Sequence, residues 1–301
     1  MNKENINFTK SFKLANIFSV IIFLLSIIFI VFKGLNYGID FKGGTLIELR
    51  VDKNTIDISD IRSSFRSMNL GDVNIKEFGK QGDYLIKIEK TNENNKDLIA
   101  QIKKDISLDL QSEINFRRVE KVGPKVSGEL LEAGILAISL SLFAMLFYIW
   151  IRFEWQFSLG AILALFHDVI LTLGVFSVFS IEVNLSIVAA VLTIVGYSMN
   201  DTVVIYDRVR ENLKKLPDVK IFELTNISIN ETLSRTIITS ATTLLALFSI
   251  FIFGGEILKG FSLAMILGVI FGTYSSIYIA NPILVYLRVS LKTVSKDENE
   301  N

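Results

Sequence analysis

No cysteine occurs among the 301 residues, which excludes a disulfide framework, a cysteine-ligated zinc site, an iron-sulfur cluster and any chemistry that needs a thiol. Histidine occurs once, at His167, so an HExxH zinc motif is absent as well. The 31 basic and 31 acidic side chains cancel and the pI is near 6.6, leaving no basic footprint for nucleic acid over the chain as a whole. Proline is scarce, with three residues, and charged residues make up only 21%.

Apolar residues, by contrast, make up 50% and the mean hydropathy is +0.47, so polar and apolar residues have to be segregated along the chain. Six stretches approach the roughly 20 apolar residues that a hydrocarbon core about 30 Å thick demands. They are 14–33, 129–151, 157–180, 184–206, 236–254 and 258–287. Buried helices of a soluble protein would show a polar face, and these are apolar all round. Lys3, Lys10 and Lys13 precede the first stretch, which is too long for a signal-peptide core and lacks a small-residue cleavage pattern, so it reads as a retained helix.

Lysine and arginine in the short connections set the orientation. The N-terminus, Arg152, the segment from Arg208 to Arg235 and the tail from Arg288 together carry thirteen, whereas the opposite short turns carry only Lys259. Both termini are therefore expected in the cytoplasm, giving segments 1–33, 34–127, 128–288 and 289–301: a first helix, an extracytoplasmic domain, five further helices and a disordered tail. Within the third segment a cytoplasmic loop is expected at 207–235. Ile221, Phe222, Leu224, Ile227, Ile229 and Leu233 suit either a short helix lying in the membrane interface there or a solvated loop.

Residues 34–127 change character to short alternating runs and amphipathic stretches. Strands are expected at Thr45–Val51, Val73–Phe78, Tyr84–Glu89 and Ile114–Val119, with a turn at Gly79–Asp83. Helices are expected where Ile58, Ile61 and Phe65, and then Leu98, Ile102 and Ile106, recur on one face. The order β-α-β-β-α-β predicts a ferredoxin-like α+β domain between the first two membrane helices. It contains no histidine, no glycine-rich phosphate loop and no carboxylates at metal spacing, so contact or leverage is its expected task.

A carboxylate in a span costs roughly 2.5–3.5 kcal/mol on insertion scales and tends to face a bundle interior or a wet path. Asp201 lies in the cytoplasmic half of the fourth span and Arg235 opens the fifth, which predicts an ion pair at similar depth that protonation of Asp201 would release. Interfacial snorkelling of both residues is the alternative. Asn200 is expected as a hydrogen-bond neighbour. His167 and Asp168 lie mid-span, open either to an auxiliary proton relay or to a structural role with serine or threonine on a neighbouring helix. Ala264, Gly268, Gly272, Ser276 and Ala280 place a small residue at every fourth position of the sixth span, which suits packing inside this bundle or a seam with a partner.

Four segments carry a resemblance to a known family. They are Gly38-Ile39-Asp40-Phe41-Lys42-Gly43-Gly44-Thr45, Val122-Gly123-Pro124-Lys125-Val126, His167-Asp168, and Val195-Gly196-Tyr197-Ser198-Met199-Asn200-Asp201-Thr202 followed by Tyr206-Asp207-Arg208-Val209-Arg210-Glu211-Asn212. Together they resemble the SecD/SecF family of protein-export membrane proteins, on its SecF side, with Lys42 standing where the family commonly has threonine. The resemblance implies a six-helix half of an RND-type assembly in the bacterial inner membrane. Its implied partners are SecD, the SecYEG channel, the translocating preprotein and membrane lipid, with no cofactor, metal or nucleic acid. Asp201 and Arg235 match residues implicated in proton-driven export, and no enzymatic activity is implied. The rival readings are an RND-type proton-driven exporter of lipids or small molecules, a non-transporting assembly factor, and an intramembrane protease. The last suffers because Gly196-Tyr197-Ser198 lacks the glycine that completes a nucleophile-elbow motif.

Overall fold

A computed structural model of the chain describes residues 6–51, 56–68, 70–77, 82–89 and 98–295. In chain order the elements are α1 (Phe12–Phe32), β1 (Asn36–Tyr37), α2 (Ile39–Lys42), β2 (Gly44–Val51), α3 (Ile58–Ser67), β3 (Val73–Glu77), β4 (Asp83–Ile88) and α4 (Leu98–Asp109). Then follow β5 (Ile114–Val122), α5 (Pro124–Arg152), α6 (Trp155–Val178), β6 (Glu182–Val183), α7 (Leu185–Lys215), α8 (Ile221–Phe253) and α9 (Gly255–Ser275). A π turn (Ser276–Ala280), α10 (Asn281–Tyr286) and α11 (Leu291–Ser295) close the described chain. It forms two compact units, one drawn from 1–36, 136–181 and 186–301, the other from 37–135 and 182–185.

In the second unit the alternation read from the sequence becomes an antiparallel sheet in the order β3-β4-β2-β5. Ile47 sits opposite both Ile86 of β4 and Val119 of β5, and a bulge between Glu48 and Leu49 shifts the register along β5. One face of the sheet presents Ile47, Leu49, Ile86 and Ile88, and the α3 residues Ile61 and Phe65 with the α4 residues Ile102 and Ile106 complete the core over it. Period-two strands and period-3.6 helices bury their apolar residues against each other. Asp57 and Asp60 close a capping box at the start of α3, satisfying amides that the first turn leaves open. Between β2 and β4, Asp83 accepts from Arg50 Nε at 2.6 Å and Nη2 at 2.5 Å, a bidentate pair with the carboxylate buried. The expected Gly79–Asp83 turn falls largely outside the described residues.

In the first unit, helices α1, α5, α6, α7 and α8 and the run from Ile257 to Tyr286 are long and apolar enough to cross a membrane. Three of the spans form the inside: α6, α7 and the last run bury 61%, 50% and 56% of their most apolar windows, against 11%, 11% and 17% for α1, α5 and α8. Pro282, lacking an amide hydrogen, cannot continue the regular ladder, and the helix widens into the π turn just ahead of it.

Two expectations need correction. The loop at 207–235 is not a loop: α7 continues to Lys215, α8 begins at Ile221, and residues 216–220 alone connect them. The stretch expected as a separate interfacial helix is the first part of α8. Leu224 and Ile229 join the buried core with Val209 and Leu213 of α7, and nothing after Pro217 breaks the helix. The tail is also ordered further than expected, because Val289 and Val294 are buried in the same core and 291–295 are helical; residues 296–301 lie outside the described chain.

Phe65, 1% exposed, is the largest α3 side chain in the core of the second unit. Phe65→Ala is expected to destabilise that unit by about 3–5 kcal/mol, read as faster amide exchange in β2 and β4 while the amides of α6 and α7 stay protected.

Candidate functional site

The close approach of α7 and α9 starts from glycine. A side chain at Gly268 would collide with Ile194, and one at Gly272 would come within 3.1 Å of the Ser198 backbone. All five small residues from Ala264 to Ala280 are buried within this chain, and Gly268 and Gly272 pack against α7. That proximity brings hydroxyls of two helices to a carboxylate on a third. Asp168 of α6 is fully buried, and its Oδ2 accepts from Ser198 Oγ of α7 and Ser275 Oγ of α9, each at 2.6 Å. Its Oδ1 lies 3.0 Å from His167 Nδ1, so a proton on that nitrogen is donated to Asp168. The His167 ring stacks on Phe23 and Tyr274, and its buried Nε2 has no hydrogen-bond partner among the described residues. A further hydroxyl pair, Thr202 Oγ1 with Ser276 Oγ at 2.8 Å, ties α7 to the π turn.

Asp201 lies three residues beyond Ser198 on α7, about 4.5 Å along the helix. It is 5% exposed. Its Oδ2 lies 3.5 Å from both Ser240 Oγ of α8 and Thr273 Oγ1 of α9, which are themselves 2.8 Å apart. These contacts sit at the long limit for a hydrogen bond, and hydroxyls can donate to a carboxylate or accept from a carboxylic acid. The expected ion pair is absent: Arg235 is exposed and makes no salt bridge among the described residues. Arg235 precedes Ser240 by five residues, which turns it about 140° around α8 from the hydroxyl that does meet the acid. Asn200 is exposed and likewise makes no bond to Asp201.

His167 and Asp168, separated by about 100° around α6, nevertheless touch, because Nδ1 is the ring nitrogen nearest the backbone and reaches the neighbouring carboxylate. The expectation of serine partners on neighbouring helices is the one the geometry follows. Ser198 bonds the carboxylate and not the imidazole, so the three side chains run serine, aspartate, histidine. In a nucleophilic triad the serine contacts histidine instead. The sequence reading missed Ser240, Thr273 and Ser275; the available signal was a cluster of hydroxyl residues at membrane depth between Thr273 and Ser276.

The run Tyr206 to Asn212 staples the end of α7 to its neighbours. Tyr206 Oη donates to the Ala280 carbonyl at 3.0 Å, Asp207 accepts from Arg152 at 3.0 Å, and Arg208 pairs with Glu231 at 2.7 Å. Arg210 pairs at 3.0 Å with Glu154, whose side chain is 5% exposed, and Asn212 Nδ2 donates to Ser228 and Glu231. The half-exposed pairs contribute about 0–1 kcal/mol each, whereas breaking the Glu154 pair would leave a buried charge without its cation.

Comparison with known proteins decides the family. A family profile described as Protein export membrane protein SecD/SecF, C-terminal, matches residues 102–290, and one described as SecD/SecF GG Motif matches residues 28–55. Protein translocase subunit SecF of Rickettsia bellii (strain OSU 85-389) is 46% identical over 284 residues, covering 94% of this chain and 93% of that protein. The chain belongs to the SecD/SecF family. Protein translocase subunit SecF of Cereibacter sphaeroides is 42% identical, covering 98% and 93%. Among solved structures, the SecDF of Thermus thermophilus, a translocon-associated membrane protein, is similar with a TM-score of 0.84 at 32% identity over 95% of this chain. A SecDF in super-membrane-facing form gives 0.68 at 28% identity over 100% of it. The chain spans 39% and 41% of the lengths of those two SecDF chains.

For this SecD/SecF family member, Ser275→Ala removes one of the two hydroxyl donors to Asp168 and is expected to cost about 1.5–3 kcal/mol, measured as a lower unfolding temperature in detergent. Combined with Ser198→Ala, the loss should depart from the sum of the two, since both bond the same oxygen.

Proposed function

We propose that this chain acts as a SecF-type subunit of the Sec machinery, using the proton-motive force together with SecD to drive or complete passage of preproteins through the SecYEG channel. The observation that carries the reading is Asp201, an acid at membrane depth whose direct partners are hydroxyls and not a fixed cation. Such a group can gain or lose a proton without stranding a bonded counter-ion. Family membership and the likeness to SecDF support the export setting.

In this reading the protein lies in the bacterial inner membrane with both termini cytoplasmic, as the lysine and arginine distribution suggests. The second unit is then an extracytoplasmic, ferredoxin-like domain, which its strand order supports. Protonation of Asp201 changes how α7, α8 and α9 fit around the Ser240 and Thr273 hydroxyls, and the external domain moves against the emerging polypeptide. A proton falling through roughly 150–200 mV releases about 3.5–4.5 kcal/mol. That biases a two-state element strongly, although a full switch from 1:99 to 99:1 takes about 5.5 kcal/mol.

His167 and Asp168 have weaker support as an auxiliary relay. Asp168 already holds three partners from three residues, an arrangement that suits locking α6, α7 and α9 together. Asn200, exposed on α7, has no bond that would place it in the relay.

Asp201→Asn is expected to leave co-purification with SecD intact and to abolish the proton-gradient dependence of late-stage export in reconstituted vesicles. Gradient dependence retained at the unsubstituted level would refute the assignment. Arg235→Met, which removes a cation that does not bond Asp201 in this structure, should reduce the same dependence less than Asp201→Asn; an equal or greater loss would mean that Arg235 bonds the acid directly during the cycle.

A further inference from the structure

The four residues Glu182–Leu185, which lead into α7, belong to the second unit, while Ser186 onward belongs to the first. Within the second unit this short segment is held by hydrogen bonds and an ion pair. Asp40 Oδ2 accepts the Leu185 amide at 2.9 Å, the Gly38 amide donates to the Val183 carbonyl at 2.8 Å, and Lys87 of β4 pairs with Glu182 at 2.6 Å. Gly38 has no room for a side chain, since a Cβ there would come within 3.3 Å of Asn184 Cβ and closer still to Glu182 Oε1. A helix leaves its first amides without partners inside the helix, and a carboxylate there is favoured by the helix dipole as well as by the hydrogen bond. Asp40 and Gly38 lie in the segment that matches the GG motif.

The same helix carries Asp201 sixteen residues further on, about 24 Å along its axis. We propose that Asp40 is a positioning residue for α7: with Gly38 and Lys87 it ties the first turn of that helix to the sheet domain, so that a displacement of the domain is passed along a continuous helix to the region of Asp201. The consequence for Asp201 rests on its reading as the proton-accepting group; the tie itself stands on the geometry of the second unit alone. A rigid helix transmits such a displacement only while its end stays fastened. Without the carboxylate, the Leu185 amide turns to solvent and the first turn frays, absorbing the movement.

The test uses the full chain reconstituted with SecD. Asp40→Ala removes the acceptor, and Asp40→Asn keeps a side-chain oxygen that can still accept from the Leu185 amide. Asp40→Ala is expected to speed amide exchange at Leu185–Ile187 by roughly five- to tenfold and to lower gradient-driven export severalfold, with SecD binding unchanged. Asp40→Asn should restore both, which a mere loss of folding would not do. Normal export with Asp40→Ala, unchanged exchange at the first turn, or a defect in Asp40→Asn as deep as in Asp40→Ala would each overturn the proposal. Asp201→Asn measured alongside separates the two readings. If it exports normally while Asp40→Ala fails and Asp40→Asn recovers, the tie stands and the proton site falls; if Asp201→Asn fails while Asp40→Ala exports normally, the tie alone falls.

Discussion

A carboxylate inside an apolar helix bundle has to be supplied with hydrogen-bond donors by the protein, because no water is at hand to solvate it and an unsatisfied charge there costs several kcal/mol. Asp168 shows how demanding that requirement is. Meeting it takes a serine from each of two other helices and the imidazole next to it, and the two serines reach it because α7 and α9 pack closely at Gly268 and Gly272. The row of small residues, the hydroxyls and the acid are one arrangement. Each would be unremarked without the other two, and together they fix how α6, α7 and α9 face one another.

Asp201 sits in the same bundle under looser terms. Its hydroxyl contacts are nearly an ångström longer than those of Asp168, and Arg235 stays outside contact distance. The contrast is one of bonding: Asp168 is held by short hydrogen bonds from two other helices, and Asp201 meets its hydroxyls only at the long limit. Beyond Asp201 the end of α7 is held by the contacts of Tyr206, Asp207, Arg208, Arg210 and Asn212.

Much of this was legible in the sequence. The six spans were readable because they are apolar all round, and the sheet domain because its strands alternate at period two while Ile61, Phe65, Ile102 and Ile106 recur at helical spacing. The partner of Asp201 was not. Depth along a helix is set by residue number, but facing is set by rotation, and Arg235 and Ser240 share a helix while pointing different ways. The stretch 207–235 misled for a related reason: its charges resemble a solvated loop, yet they pair with one another and with Arg152 and Glu154 on helices that continue, while Val209, Leu213, Leu224 and Ile229 fill the core between. Asp40 was visible only as part of a motif, since its hydrogen-bond partner lies 145 residues away in the chain.

The π turn has a consequence for helix winding. On a regular α-helix, residues four apart creep about 40° around the axis at each step, so a row from Ala264 to Ala280 would wander about 160°, nearly to the opposite side. The wider turn at Ser276–Ala280 spends an additional residue on its revolution and winds part of that creep back. Ala280 and Leu284 are fully enclosed.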